Sequence, residues 1–427
     1  MTRKINLQVD VHHLARVEGH GNIKVRVVEG KLEQASWEVV ETPRFFEVML
    51  RGKHYTTAPI LTARICGICS IAHCLTSLEA IEDAFAVTIP APARKLRELA
   101  KHGENLQSHI LHTFFLAAPD FLRLPSVIPL VADKPEVVAL AARLKGLGNR
   151  LCDLVAGRTT HPVTLAVGGV TATPAPGRLL ALRDELLRAL DDLELAVGIF
   201  GSFELPDFSR ETEFVSLKGE GSYPYIGRTM ISTDGVEHPA AEYRQMTNEY
   251  VVKHSTSKWC KLSREAFAVG PLARFNNNHQ HLHPEALAVA ERLGLRPICH
   301  NPFYANYARL VECVDSVLEA VRLIDELAQP GAMEGSMAEF EVLSGKGTGV
   351  VEAPRGILYH RYELDTDGRI VSADCVIPTT QNHANIQHDL TALVPQLAVE
   401  GQTDAELELL CSMLVRSYDP CISCSVH

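Results

Sequence analysis

Two Cys-x-x-Cys turns stand at opposite ends of this chain, Cys66-Gly67-Ile68-Cys69 near the start and Cys421-Ile422-Ser423-Cys424 at the end. With 11 cysteines in 427 residues, scattered placement gives roughly 0.3 such pairs per chain, so the two ask for one explanation. Each turn points two sulfurs at one spot, and two turns together make a soft, strongly anionic four-thiolate site suited to a soft metal. A fold built on it must bring residues 66 and 424 together. A structural zinc site is one reading, although its pairs usually lie within tens of residues. A redox or catalytic metal is a second, and two unrelated pairs a third. A thioredoxin-like dithiol does not fit, because neither pair follows a strand in a βαβ setting.

Composition narrows the partners. Hydrophobic residues make up 46% and charged residues 22% of the chain, a globular balance that excludes a disordered polymer. The net charge of −11 argues against a phosphate-seeking surface, so no nucleic acid is expected. The longest apolar stretches, Phe114–Ala118 and Leu195–Phe200, fall short of the roughly 20 residues a bilayer span needs; no direct membrane insertion is expected. The opening Met-Thr-Arg-Lys-Ile-Asn-Leu-Gln has no apolar signal region, which points to the cytoplasm unless the chain is exported alongside another protein.

Alternation at Ile23, Val25 and Val27, the turn at Glu29-Gly30 and the stretch Leu32–Val40 predict a hairpin. Helical spacing runs through 94–117, with a kink expected at Gly103, and through 135–156, 177–200, 305–328 and 403–418. Short strands are expected over 213–236, turning at Gly219–Ser222, and over 356–377, turning at Asp365–Gly368. No repeat or long linker interrupts them. The expected fold is α+β and predominantly α, a compact helical-bundle core with peripheral β-hairpins forming one unit over 1–427. Its parts are an N-terminal hairpin region over about 1–60, a helical core over about 61–350, and a C-terminal hairpin and metal-binding end over about 351–427.

Further motifs accompany the cysteine pairs: Ala15-Arg16-Val17-Glu18-Gly19-His20, Pro43-Arg44-Phe45-Phe46-Glu47, Glu352-Ala353-Pro354-Arg355-Gly356, Ile377-Pro378-Thr379-Thr380 and the ending Asp419-Pro420-Cys421-Ile422-Ser423-Cys424-Ser425-Val426-His427. In content and order, over the whole chain, they resemble the large subunit of nickel–iron hydrogenases. The compact length, the Pro-Arg-Phe-Phe-Glu segment and the ending look most like the soluble, NAD(P)-linked branch, including the sulfhydrogenases.

The resemblance implies reversible heterolytic cleavage of dihydrogen at a nickel–iron centre whose iron carries one carbon monoxide and two cyanides. It implies that Cys66 and Cys421 are terminal nickel ligands and that Cys69 and Cys424 bridge to iron. Cys421 would accept the proton and pass it to Glu18, which taken alone reads as a surface or capping glutamate. Arg355, after Pro354, would lie over the metals and pair with Asp419. Thr379 would donate to a cyanide, Pro378 would pack against the diatomic ligands, and His73 would donate to a bridging sulfur. Glu47, the backbone carbonyl of Cys375 and the terminal imidazole of His427 would hold a second, hard ion, magnesium or else iron or calcium.

One position departs from the family pattern. Many membrane-linked members carry an aspartate where this chain has Ser108, which weakens the anchoring of Arg355 unless His109 or Asp419 compensates. Family precursors also carry a short tail beyond the histidine, so a maturation protease is an expected partner wherever such a tail is encoded.

The seven remaining cysteines, Cys74, Cys152, Cys260, Cys299, Cys313, Cys375 and Cys411, lack the close spacing of an iron–sulfur site. No G-x-G-x-x-G follows a strand. Electrons must therefore leave through partners, which the resemblance supplies as a small subunit with iron–sulfur clusters and flavin- and NAD(P)-binding subunits. The competing readings are a non-catalytic subunit like the related one in respiratory complex I, which lacks the four thiolates, and a zinc-stapled structural protein.

Overall fold

The computed structural model describes residues 6–398 and 401–427. Strands β1 (Leu7–Val11), β2 (Gly21–Val28) and β3 (Lys31–Val39) form an antiparallel sheet in sequence order, the expected hairpin plus an edge strand. Alternate residues Leu7, Val9, Ile23, Val25, Val27, Trp37 and Val39 face inward, so one face of the sheet must be covered.

Helices follow: α1 (Phe46–Leu50), α2 (Ser70–Ala84), α3 (Ala91–Ile110), α4 (Pro135–Ala156) and α5 (Pro176–Gly201). A second sheet begins with β4 (Glu213–Leu217) and β5 (Thr229–Ser232), edged by Glu237–Pro239 and by Phe267–Ala268, the latter parallel to β4. Then come α6 (Pro271–Asn278), α7 (Ala305–Leu327), strands β6 (Gly345–Ala353), β7 (Gly356–Leu364) and β8 (Ile370–Val376), and helices α8 (Pro378–Leu397) and α9 (Asp404–Ser417). Proline opens α4, α5, α6 and α8, where its missing N–H costs nothing and its φ is already helical. Thr403 and Glu406 close a reciprocal capping box on α9.

The fold is predominantly helical, as expected, and most of the predicted helices agree within a residue or two. Three expectations need correction. Helix α3 is not interrupted at Gly103; the irregularity is a π-helical stretch at Leu111–Ala117. Gly103 is instead where α4 crosses, since a Cβ there would lie 2.9 Å from Cys152 Sγ and 3.1 Å from the Gly148 carbonyl. There is no tight turn at Gly219–Ser222: β4 and β5 are joined by a long loop, because Tyr223 and Tyr225 drop into the core. Finally, the C-terminal strands begin earlier than 356, because β6 at Gly345–Ala353 precedes the expected pair.

Two packings position the metal-binding ends. Helix α2 lies flush on β6: a Cβ on Gly347 or Gly349 would come within 2.0 Å of the carbonyl of Ala80 or Thr76. Cys69, which precedes α2, and Arg355, which follows β6, are thereby held on neighbouring elements. The N-terminal sheet buries its apolar face against α8 and α9, at about 1.5–3 kcal/mol per large apolar side chain. Trp37 Nε1 lies 2.9 Å from His383 Nδ1, and His383 Nε2 lies 3.1 Å from Ser425 Oγ. Strand β3 is thus tied through α8 to the chain's last turn.

Candidate metal centre

The first cysteine turn ends as α2 begins. The Glu104 carboxylate accepts the amides of Ile71 (2.8 Å) and Ala72 (3.1 Å), satisfying free N–H groups of the first helical turn. Within the turn, the amides of Ile68 and Cys69 donate to Cys66 Sγ at 3.3 and 3.1 Å. The second turn is held by the first loop of the chain: Ile422 N donates to the Glu18 carbonyl at 2.8 Å, in a parallel bridge pairing Glu18 with Cys421. Arg44 joins the two turns, donating through Nη2 to the carbonyls of Ile65 (2.8 Å) and Ser423 (2.5 Å).

All four sulfurs are buried and converge. Cys66 and Cys421 Sγ are 3.7 Å apart, Cys421 and Cys424 Sγ 2.6 Å, and Cys66, Cys69 and Cys424 offer sulfurs within 4.8 Å of one another. Hydrogen bonding from Cys421, Cys424 and Cys69 holds Cys66 well below the ordinary thiol range. The contacts of Cys421 with Cys424, Cys66 and Cys69 push it well above, and burial does the same to Cys424. Four thiolates this close cannot all ionise unless a cation joins them, and a soft divalent metal matches such donors. The residues present therefore fit a nickel–iron group.

Glu18 belongs to the same cluster. Cys421 Sγ lies 3.2 Å from Glu18 Oε2, which also accepts the Ser423 amide at 3.1 Å, while Ser423 Oγ bonds Oε1. Glu18 is half-buried, so it stands between the sulfurs and the surface.

Arg355 is 3% exposed. Its Nε donates to the Asp419 carbonyl at 2.8 Å and its Nη2 to Asp419 Oδ1 at 3.0 Å, leaving Nη1 buried without a protein partner among the described residues. Burial opposes the charge, but Asp419 and the thiolates of Cys421, Cys66 and Cys69 outweigh it and raise the guanidinium's pKa. Asp419, despite burial, is held well below the carboxylate range by Arg355 and His112. Ser108 is fully buried, its hydroxyl without a protein partner among the described residues. Of the two residues named to compensate for it, Asp419 holds Arg355, whereas His109 turns away to Glu312 (2.8 Å). His112, one helical turn after Ser108, lies 3.1 Å from Asp419 Oδ1.

Pro354, Pro378 and Thr379 are buried at the ends of β6 and α8. Thr379 Oγ1 accepts the Cys421 amide at 3.0 Å, which leaves its own proton free to donate. His73 bonds no sulfur: its Nδ1 faces His360 Nε2 at 3.3 Å, and its buried Nε2 has no protein partner among the described residues. Burial pushes its pKa down to about 4, so the ring is neutral with one nitrogen to spare. At the far end of the centre, Glu47 Oε1 accepts the Cys375 amide at 2.9 Å and lies 3.5 Å from His427 Nε2. These partners outweigh burial and keep the Glu47 carboxyl below its usual range.

These contacts join Glu18, Arg355, Asp419 and Thr379 to the cysteine turns, and His427 Nδ1, 3.0 Å from the Cys424 carbonyl, links the Glu47 and Cys375 pair to them, whereas no hydrogen bond among the described residues ties His73 to a sulfur. The residues not named from the sequence are Arg44, Ser423, His112, His360 and Glu104. Arg44 and Ser423 sit inside quoted motifs, and the i+4 spacing of His112 from Ser108 was the available signal; Glu104 and His360 carried none.

The nickel-dependent hydrogenase family profile matches residues 44–148 and 218–427, and the chain belongs to that family as a large-subunit member, an oxidoreductase acting on dihydrogen. It is 32% identical to sulfhydrogenase 1 subunit alpha of Pyrococcus furiosus, over 100% of this chain and 99% of that one. It is 28% identical to the NAD-reducing hydrogenase HoxS subunit beta of Cupriavidus necator, over 97% and 93%. Its fold matches a crystal structure of an NAD+-reducing [NiFe]-hydrogenase in the H2-reduced state with a TM-score of 0.88, at 29% identity and covering 98% of this chain and 99% of that one. The zinc staple and the complex I-like scaffold are not favoured: neither gives a role to an acid and an arginine converging on four buried thiols.

Proposed function

We propose that this chain cleaves dihydrogen heterolytically with Cys66, Cys69, Cys421 and Cys424 holding nickel and iron, Glu18 receiving the proton, and Arg355 stabilising charge over the metals. The observation that carries the reading is the 3.2 Å contact between Cys421 Sγ and Glu18 Oε2 inside the four-sulfur cluster. When bound, the metal pair, whose iron bears one carbon monoxide and two cyanides in this reading, supplies the polarising centre for dihydrogen.

The chain's own residues do the rest. Cys421 takes the proton on Sγ and passes it to Glu18 Oε2, a carboxylate already aimed by the Ser423 amide, within the distance that general acid–base transfer requires. Asp419 fixes the guanidinium plane of Arg355, so that Nη1 presents a donor at no reorganisation cost. Thr379 has a hydroxyl proton for a cyanide, Pro354 and Pro378 wall the iron side, and His73 Nε2 has a hydrogen bond to offer a bridging sulfur. Glu47, His427 and the Cys375 carbonyl would hold magnesium, or iron or calcium, a hard ion that takes oxygen donors and keeps several waters.

Electrons leave to a small subunit with iron–sulfur clusters and then through flavin subunits to NAD(P), in the cytoplasm; a protease trims any tail beyond His427. Support comes from the relatives' names, which make them subunits of larger assemblies and in two cases NAD-reducing, and from Phe45, Val48, Met49 and Ile60, apolar residues exposed in the segment before the first cysteine turn. No helix among the described residues is long and apolar enough to cross a membrane. Glu18→Gln tests the central step: an amide cannot relay the proton, so the purified complex should keep nickel and iron yet lose exchange between deuterium gas and solvent protons by about 10²-fold or more. Rapid exchange in that variant would remove Glu18 from the path.

A further inference from the structure

Glu18 and Cys421 come from opposite ends of the chain, and a proton passes between them only while their loops stay in register. Both loops are strained. Arg16, two residues before Glu18, has φ 60°, and Asp419, two before Cys421, has φ 50°. A non-glycine residue in this region costs about 1–3 kcal/mol and persists only where its surroundings over-determine it. Asp419 is held by Arg355.

Arg16 is held by Asp120. Its Nη2 lies 2.5 Å from Asp120 Oδ1, and its Nη1 donates to the Leu116 carbonyl at 2.6 Å. The same carboxylate takes a two-pronged pair from Arg416 on α9, Nε to Oδ2 at 2.6 Å and Nη2 to Oδ1 at 2.7 Å. Arg416 Nη1 then reaches the carbonyl of Ala15 at 2.9 Å, just before Arg16. One buried carboxylate, lying just past the π-helical stretch at Leu111–Ala117, therefore joins the loop that carries Glu18 to the helix that leads into Cys421. A planar guanidinium bound at two points fixes orientation as well as distance, and the three side chains take no part in the metal centre.

We infer that Asp120 is a positioning residue for proton transfer: by clamping Arg16 and Arg416 it sets the contact between Glu18 and the Cys421 sulfur. The inference rests on Glu18 being the proton acceptor. A misplacement of about 1 Å can slow a step by on the order of 10²-fold, so the effect belongs on the proton step and not on metal retention.

The test compares the wild-type complex with D120N, R16Q, R16K and E18Q, reading nickel and iron content, exchange of deuterium gas with solvent protons, and the solvent isotope effect on dye-linked dihydrogen oxidation. D120N and R16Q should keep both metals, exchange about 10- to 100-fold more slowly and show a larger solvent isotope effect; R16K, which returns a cation to Asp120, should recover part of the rate. Arg16 lies at the edge of the clamp, so R16Q decides the matter if D120N does not assemble. Normal exchange in E18Q would remove the proton acceptor, and the clamp with it. Blocked exchange in E18Q beside wild-type exchange in R16Q would overturn the clamp alone, as would loss of metal in R16Q, which would make the cluster a support of the metal site instead.

Discussion

The guanidinium of Arg355 is fixed at two points by one residue, and its remaining fork is free. Arg355→Lys keeps the charge and loses the fork, so metal content should persist while dye-linked turnover falls by about 10²-fold; near-normal turnover would take Arg355 out of the mechanism. Ser108 gives the opposite expectation. Its buried hydroxyl has no partner among the described residues, so Ser108→Ala removes a desolvated group without breaking a bond, and both melting temperature and turnover should stay at wild-type values or rise. A drop of several degrees would reveal a partner for the hydroxyl. At this scale the site was largely legible, because cysteine pairs and short motifs mark chemistry directly. The connectors were not. Glu104 and His360 act through backbone amides and a ring contact that only the folded chain brings together, and an isolated glutamate mid-helix carries no mark of such a task.

Helix α2 and strand β6 form the surface on which the first cysteine turn rests. Gly349→Ala would drive a Cβ into the Thr76 carbonyl, and lifting the helix should cost about 3 kcal/mol; because Cys69 moves with α2, metal content should fall together with the melting temperature. An unchanged melt would mean that the helix has room to shift. Thr403→Ala breaks only the capping box of α9, so it should cost about 1 kcal/mol in thermal unfolding and leave turnover intact. The predicted helices at 135–156, 177–200, 305–328 and 403–418 were legible because amphipathic period and prolines agree there. Strand β6 was not, since Gly345, Gly347 and Gly349 have poor strand propensity and are placed by the helix packed over them. Helix α8 opens with Pro378 inside a motif read for its chemistry, and its buried first half is polar from Thr379 to His383, so it offers no apolar stripe to give a period.

At the scale of the whole molecule, a carboxyl outside the metal centre makes stability depend on pH. Asp315, in the wall of a cavity of about 580 Å³ with His102, His283 and Glu319, is pushed up by burial to about 7, against the His283 amide and ring, which lower it. Its folded pKa exceeds the unfolded value of about 3.9, so between those values the folded state holds a proton that the unfolded state has lost, and stability is lost as pH rises towards 7. Asp315→Asn can still accept the His283 amide but does not titrate. The melting temperature of the variant minus that of the wild type should therefore grow between pH 5 and pH 7 and level off above; a flat difference would mean that Asp315 is ionised throughout. The closure of the chain upon itself follows from sharing one metal site between two distant cysteine turns, which is why the sequence announced that the ends must meet without showing that β6 and α8 are among the elements that bring them together.

The claim that the four cysteines build a nickel–iron centre with diatomic ligands is tested most directly by an infrared spectrum of the purified complex between about 1,900 and 2,100 wavenumbers, where protein is nearly silent and metal-bound carbon monoxide and cyanide absorb. The account predicts one carbon monoxide band and two cyanide bands, with one nickel per chain. A blank window with one zinc per chain would contradict it and return the two cysteine turns to a structural role.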